Sequence, residues 1–200
     1  MSILKVARLG HPVLREIAQP IEPREIRGPE IQRLIRDMLE TMAEYKGVGL
    51  AAPQVHVSKR LVLVGGGEDE DGEPIVRVLI NPELKTTTTE LAGMWEGCLS
   101  VPGLRGFVER PRGVEVKAYD GQGQKLQFTL EGFPAVVMQH ECDHLDGALF
   151  TDRLKDTRLL AFEDEAERYL DAFAGSDDDS DDDDDDEDDE EENDAEEGKA

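Results

Sequence analysis

The sequence lacks the features of an exported or membrane-spanning protein. Its 200 residues contain two cysteines, Cys98 and Cys142, too few for the disulfide framework of a small secreted domain. No apolar run approaches the roughly 18 residues that a membrane-spanning helix requires. Residues 1–20 have no long apolar core after a basic end, which a secretory signal would have. We therefore expect a cytoplasmic protein with reduced thiols and no membrane partner.

Basic side chains are also scarce, with 22 Lys and Arg against 47 Asp and Glu, for a net charge of −25. Residues 176–200 hold 18 of the acids and one lysine, which is −17, so residues 1–175 hold 29 acids and 21 bases, which is −8. The acidic segment has no apolar residue larger than alanine to bury, and we predict a disordered tail over 176–200. No basic cluster offers a phosphate-binding surface, so direct nucleic-acid binding is not expected.

Residues 1–175 are long enough for one domain with its own core. Apolar side chains recur at helical spacing over residues 29–45 and predict a core-facing helix. The segments "RLVLV", "IVRVLINP" and "ELKTTTTELA" predict strands, and "VEVKAYDGQGQKLQFTL" predicts a hairpin. A last amphipathic helix is predicted for "DTRLLAFEDEAERYLDAF". This order predicts an α+β domain with a mainly antiparallel sheet packed around a central helix.

The segment "QHECDHLDG" (139–147) places His140, Glu141 and His144 in a His-Glu-x-x-His pattern. On a helix, residues four apart share a face, so both imidazoles can bind one ion, while the glutamate lies roughly 100° around the axis beside it. The flanks favour a helix, because Pro134 suits the first turn and Gly147 can end it. We therefore expect the central helix to carry a metal site with its own general base.

Two histidines leave a catalytic metal site incomplete, because such a site normally has three protein ligands and an open position for water. Phe150 stands where the metzincin pattern has its third histidine, which excludes that class. A following helix could supply Glu163, Glu165 or Glu167. The thiolate of Cys98, in "WEGCLSVPG", would form with two imidazoles a ligand set that suits Fe²⁺, Zn²⁺, Ni²⁺ or Co²⁺. These last two sources of a third ligand remain open from the residues alone.

Three segments resemble the motifs of the peptide deformylases: "GVGLAAPQ" (47–54), "EGCLS" (96–100) and "QHECDHLDG" (139–147), in that order and at similar separations. The segment "GHPVLREIA" resembles the N-terminal part of the family, so the resemblance extends over about residues 3–165. The acidic tail has no counterpart in the family pattern. The resemblance implies a metal-dependent hydrolase that removes the formyl group from the N-terminal formylmethionine of newly made polypeptides and releases formate.

The resemblance also implies the residues of the reaction centre. One divalent metal ion per chain, expected to be Fe²⁺ with Zn²⁺, Ni²⁺ or Co²⁺ as alternatives, would be held by Cys98, His140 and His144. Glu141 would accept the proton of the attacking water and pass it to the departing amine. The side-chain amide of Gln54 and the backbone N–H of Leu99 would stabilise the oxyanion.

The expected substrates are N-formylmethionyl peptides and nascent chains, bound by a monomeric enzyme. The glycines of the first motif would let a substrate backbone approach closely, as an added strand approaches a sheet edge. Apolar residues on one side of the motif helix would contact the methionine side chain. The expected substrate-binding residues are Val48, Gly49, Gly97, Arg105, Phe133, Val136 and Val137.

Two other functions stand beside this interpretation. A His-Glu-x-x-His metalloprotease with a downstream glutamate ligand would keep its metal when Cys98 is replaced. A metal-binding interaction protein would use the acidic tail to recruit basic partners. A purely structural metal site would not require both Gln54 and Glu141, which argues against the interaction protein.

Overall fold

The structure is a computed structural model that describes residues 2–68, 74–166 and 168. The chain divides into two units, residues 1–166 and residues 167–200, and the fold described below is that of the first. Residues 169–200 lie outside the described residues, so the boundary at residue 175 and the disordered tail stay predictions. Within the described residues, no helix is long and apolar enough to cross a membrane.

Eight strands and two complete α-helices are defined among the described residues of the first unit, and residues 163–166 are also helical. The strands are β1 (Gly49–Ala51), β2 (Leu61–Glu68), β3 (Pro74–Thr86), β4 (Leu91–Cys98), β5 (Val101–Pro111), β6 (Gly113–Tyr119), β7 (Lys125–Glu131) and β8 (Leu160–Phe162). The helices are α1 (Pro29–Glu44) and α2 (Phe133–Leu145). The strands form a five-stranded sheet in the order β1-β2-β3-β6-β7 and a three-stranded sheet in the order β4-β5-β8. Every pairing between these strands is antiparallel.

The five-stranded sheet lies between the two helices. Along β2, Leu61 and Leu63 pack into one apolar cluster with α1, while Val62 and Val64 pack into another with α2. This alternation follows from the two-residue period of a strand and explains why "RLVLV" is apolar at consecutive positions. The predicted α+β domain with a mainly antiparallel sheet is therefore confirmed, and α2 is its central helix, with ten of thirteen residues buried.

Helix α2 starts and ends where the proline and glycine positions in the sequence predict. Gly132 precedes the helix with a φ of 63°, and Pro134 occupies the first turn, where its missing N–H would have no partner in the helix. After the C-terminal end, Gly147 adopts a φ of 74°, in the left-handed region that favours glycine. The glycine and proline positions therefore mark the two ends of the helix that carries both histidines.

One predicted strand and one predicted helix have different bounds in the structure. The segment "ELKTTTTELA" is not one strand, because residues 83–86 continue β3 past an irregularity near Asn81 and residues 91–92 begin β4. In the last predicted helix, residues 160–162 form β8, because they pair with residues 104–106 on the open edge of β5. Tertiary pairing has here overridden the helical pattern of the local sequence. Residues 163–166 and 168 are helical, as predicted, and residues 167 and 169–173 of that predicted helix lie outside the described residues.

Candidate active site

A cleft of about 1030 Å³ runs along the edges of both sheets. Its lining includes residues of β1 and β4, and each of these strands is the edge strand of its own sheet. The first half of α2 contributes another part of the lining. Edge strands leave backbone N–H and C=O groups without strand partners, so this cleft can accept an extended peptide.

The three proposed metal ligands converge beneath this cleft. Cys98 is the last residue of β4, and His140 and His144 lie one turn apart on α2. One ligand atom from each residue lies within 4.8 Å of the other two, and the Cys98 Sγ is 3.2 Å from the His144 Nε2. Among the described residues, this is the only group of three such side chains. Of the three glutamates considered as third ligand of the protease alternative, Glu163 instead pairs with Arg105, Glu165 is not part of the described group, and Glu167 lies outside the described residues.

The donor set fits a divalent metal ion of borderline softness, because one sulfur and two imidazole nitrogens suit such ions. Burial and the charges of His140 and Arg110 hold the pKa of His144 well below its ordinary value, so its imidazole is neutral, as a metal ligand must be. The Glu141 Oε2 and the His144 Nδ1 are buried and lack a hydrogen-bond partner among the described residues. Buried polar atoms without partners are uncommon and typical of functional sites.

His140 is oriented by a buried carboxylate. Its Nδ1 lies 2.8 Å from the Glu96 Oε2 and donates to it, which leaves the Nε2 free to bind a metal. Burial alone would raise the pKa of Glu96, but hydrogen bonds from His140 and Arg110 outweigh it and hold this pKa below its ordinary value. Burial alone would lower the pKa of His140, but hydrogen bonds with Cys98 and Glu96 raise it to about 10. A metal ion therefore has to compete with a proton at this imidazole.

A chain of buried charges continues from Glu96 into the protein. The Arg110 guanidinium binds Glu96 through its Nε at 2.5 Å and its Nη2 at 2.9 Å, and it donates from Nη1 to Asp143 at 2.8 Å. Asp143 also accepts from the Nη2 of Arg153 at 2.6 Å, and because the Arg153 side chain is half exposed, the buried part of the chain ends at Asp143. Because burying an unpaired charge is costly, each member of this chain depends on the next. The chain joins β4 and β5 to α2.

Glu141 lies beside the metal ligands and against a glycine. A Cβ atom at position 49 would lie 2.3 Å from the Glu141 Oε1, so the carboxylate occupies the space that the side chain of any residue other than glycine would need. This contact is a reason for the glycine beyond the expected approach of a substrate backbone. Burial is the main cause that raises the pKa of Glu141, to about 7. A carboxylate with a pKa near neutrality suits a general base.

Two hydrogen-bond donors lie next to Cys98. Gln54 is buried in a short 3₁₀ helix, Ala52–Val55, and its Oε1 accepts from the backbone N–H of Ala51 at 2.8 Å. This contact points its Nε2 towards the Cys98 Sγ at 3.4 Å and the Ser100 Oγ at 3.3 Å. Leu99 lies in the turn between β4 and β5, and its backbone N–H has no acceptor among the described residues.

Every residue expected to bind substrate lines the cleft. Phe133 is 53 % exposed at its mouth, whereas Val136 and Val137 are buried and Val137 also belongs to the core beneath the sheet. Of the residues expected in the reaction centre, only His144 is absent from the cleft lining, because it is fully buried below the other two ligands. Cys142 faces the core of the larger sheet, as its position on the helix predicts.

The charge chain that supports His140 was not predicted from the sequence. Glu96 entered the prediction only as the first residue of the "EGCLS" segment, and Arg110 did not enter it. A signal was present, because Gly106, Val108 and Arg110 occupy alternate positions on the inward face of β5. An arginine at such a position requires a buried acidic partner.

The family model that matches the chain is that of polypeptide deformylase, over residues 3–159. A peptide deformylase from Leptospira biflexa serovar Patoc is 43% identical over 172 residues, which are 84% of this chain and 96% of that protein. A solved class I type b peptide deformylase from Acinetobacter baumannii, bound to Met-Ala-Ser, is 41% identical, with a TM-score of 0.72, over 77% of this chain and all of that one. A peptide deformylase from Synechococcus elongatus in complex with actinonin is 38% identical, with a TM-score of 0.69, over 86% of each chain.

Proposed function

This chain belongs to the polypeptide deformylase family, and we propose that it hydrolyses the formyl group from the N-terminal formylmethionine of newly made polypeptides with its own Cys-His-His metal site. The observation that carries the proposal is the grouping of three metal-ligand side chains beside a buried glutamate with a pKa of about 7. A general base next to a metal site with three ligands is the arrangement of a hydrolase rather than of a structural metal site.

The ligands proposed for the metal are the Cys98 thiolate and the imidazoles of His140 and His144, with Fe²⁺ as the expected ion and Zn²⁺, Ni²⁺ and Co²⁺ as ions that the same donors accept. When bound, the ion would supply a Lewis acid and lower the pKa of a coordinated water. Glu96 holds the Nδ1 proton of His140, so the Nε2 of this residue is the atom available for coordination.

Glu141 transfers a proton from the attacking water to the leaving group. Its carboxylate accepts a proton from the attacking water and delivers it to the departing methionine nitrogen. A carbon–oxygen bond forms at the formyl carbon, the carbon–nitrogen bond breaks, and formate and a free amine leave. The Gln54 Nε2 and the Leu99 N–H lie beside Cys98, where they can donate to the formyl oxygen as it gains charge. Each such donor typically contributes about 2.7–4 kcal/mol to the lowering of the barrier.

The substrate would extend between the edge strands β1 and β4. Val48 and Gly49 on one side and Gly97 on the other line the cleft with backbone that an extended peptide can pair with. Phe133, Val136 and Val137 give the methionine side chain an apolar wall. We propose that the enzyme acts on nascent chains and is a cytoplasmic monomer. A reducing compartment such as the cytoplasm suits the free thiol that Cys98 must provide as a ligand.

The test is formate release from a formyl-Met tripeptide by anaerobically purified protein, with metal analysis of the same sample. Cys98→Ala should lose tight metal binding and nearly all activity, because no other described side chain completes the ligand group. The matched control is Cys142→Ala, which removes the only other cysteine and should leave metal content and turnover largely unchanged. A Cys98→Ala protein with stoichiometric metal and near-normal turnover would refute the proposal and favour a glutamate ligand.

A further inference from the structure

The mouth of the cleft is basic, although the chain has a net charge of −25. Four basic residues line the cleft: Lys5, Arg8, Lys46 and Arg105. Among the described lining residues, Glu163 is the one exposed acid, because Glu96 and Glu141 are buried. Of the four basic side chains, only Arg105 has an ion-pair partner among the described residues, and that partner is Glu163. The cleft therefore presents four positive charges to an entering peptide, and only the charge on Arg105 is paired with an acid, Glu163.

Arg105 lies across the edge of β4, next to the reaction centre. It pairs with Gly97, the residue that precedes the ligand Cys98. Its Nη1 lies 2.8 Å from the place where a Cβ at residue 97 would be, so the glycine makes room for the guanidinium. Within the described residues this Nη1 donates no hydrogen bond, and the two bonds to Glu163 come from Nε and Nη2. Part of the guanidinium is thus available to a carboxylate of the peptide.

Glu163 is held in place by the short strand β8. Ala161 pairs with Arg105, and Glu163 follows two residues later, so the backbone pairing brings its carboxylate to the guanidinium. Both hydrogen bonds from Arg105 reach the same oxygen of Glu163. The two side chains are 41% and 48% exposed. Exposed ion pairs of this kind are weak, so a second carboxylate can compete for the guanidinium.

We propose that Glu163 is a specificity-determining residue. It competes with acidic side chains of the bound peptide for Arg105, and it thereby limits the preference of the enzyme for substrates that carry Asp or Glu shortly after the methionine. The inference rests on the proposed function in that it takes the cleft as the peptide site. Removing the Glu163 charge should leave an uncompensated basic rim and increase the selection of acidic peptides.

The test uses the fluorescence of Trp95, the only tryptophan in the chain, which lines the cleft. The metal-loaded full chain is titrated with methionyl tripeptide amides that carry Glu or Gln at the second or third residue. Glu163→Gln should strengthen the binding of the Glu peptide relative to the Gln peptide by about two- to fivefold at low salt, and high salt should reduce the difference. In Arg105→Gln, the selection of Glu over Gln should fall.

The matched control is Glu90→Gln, which removes the same charge from an exposed ion pair, with Arg112, outside the cleft lining. Equal effects of Glu90→Gln and Glu163→Gln would assign the change to net charge and overturn the proposal. Unchanged selection in either Glu163→Gln or Arg105→Gln would overturn it too, as would absence of binding of every peptide to the parent protein. Formate release with unchanged charge selection refutes only this inference, whereas the expected selection without formate release refutes only the proposed reaction.

Discussion

Replacing Glu96 with glutamine is expected to weaken metal binding although every ligand remains in place. Glu96 accepts two hydrogen bonds from Arg110 and one from His140. The glutamine amide has one oxygen and one NH₂ group, so it cannot replace both carboxylate oxygens, and one of the three donors loses its acceptor. If the amide donates to the His140 Nδ1, the imidazole proton moves to the Nε2, the atom proposed to bind the metal. If the amide is turned around, its oxygen can still accept from His140 and from the Nη2 of Arg110, but its NH₂ group faces the Nε of Arg110.

The magnitude follows from the burial of these groups. Second-layer partners of metal-bound histidines typically change metal affinity by about 10- to 100-fold, and we expect a loss in this range. The Glu96 and Arg110 side chains are each 5% exposed, so water cannot replace the lost contact. Breaking a buried ion pair costs about 3–5 kcal/mol, and because glutamine keeps the shape and one acceptor, we expect the free energy of unfolding to fall by about 3 kcal/mol.

Two measurements check this expectation: competition for the metal with a chromogenic chelator, and urea unfolding of the metal-free protein. Glu90→Gln is again the control, because its ion pair with Arg112 is exposed to solvent and should contribute little to stability and nothing to metal affinity. A Glu96→Gln protein that is destabilised yet binds metal within about twofold of the parent would refute the orienting role and leave Glu96 a structural residue.

Three further substitutions test the reaction centre. Glu141→Gln should keep the metal while turnover falls by about 10⁴-fold, because the amide cannot accept the water proton; normal turnover would exclude Glu141 as the base. Gln54→Ala should fold and bind metal with a defect mainly in kcat, and a defect confined to KM would assign Gln54 to substrate binding. Gly49→Ala should lower kcat with metal retained, because its Cβ would lie 2.3 Å from the Glu141 Oε1; Gly121→Ala, whose nearest contact would be 3.6 Å, is the tolerated control.

The parts of the site that local sequence determines were predictable. The helical face of His140 and His144 and the ends of α2 depend on spacing and on glycine and proline positions within one segment. The third ligand was not predictable from spacing, because Cys98 reaches the histidines through the packing of the β4–β5 hairpin against α2. Only the resemblance of three motifs to a known family favoured the cysteine over a downstream glutamate.

The charge chain and the cleft rim depend on contacts that no local pattern specifies. Arg110 and Asp143 are 33 residues apart and meet because β5 and α2 pack together. Glu163 was considered as a metal ligand on a predicted helix; it is helical, but residues 160–162 before it pair with β5 and bring its carboxylate to Arg105 instead. In the first case strand–helix packing and in the second strand pairing makes the charges neighbours, and neither contact is specified by the local sequence.

The position of the ligands on separate layers has a mechanical consequence. Cys98 belongs to the smaller sheet, whereas the two histidines belong to a helix packed on the larger one. An ion bound by all three would act as a cross-link between the two walls of the cleft, so its presence would set the width of the opening as well as the chemistry. Binding to the folded state alone stabilises it by about 2.7 kcal/mol when the free ion is at 100 times its Kd. Removing the ion should therefore loosen the peptide groove before the domain unfolds, and peptide affinity should report metal loading.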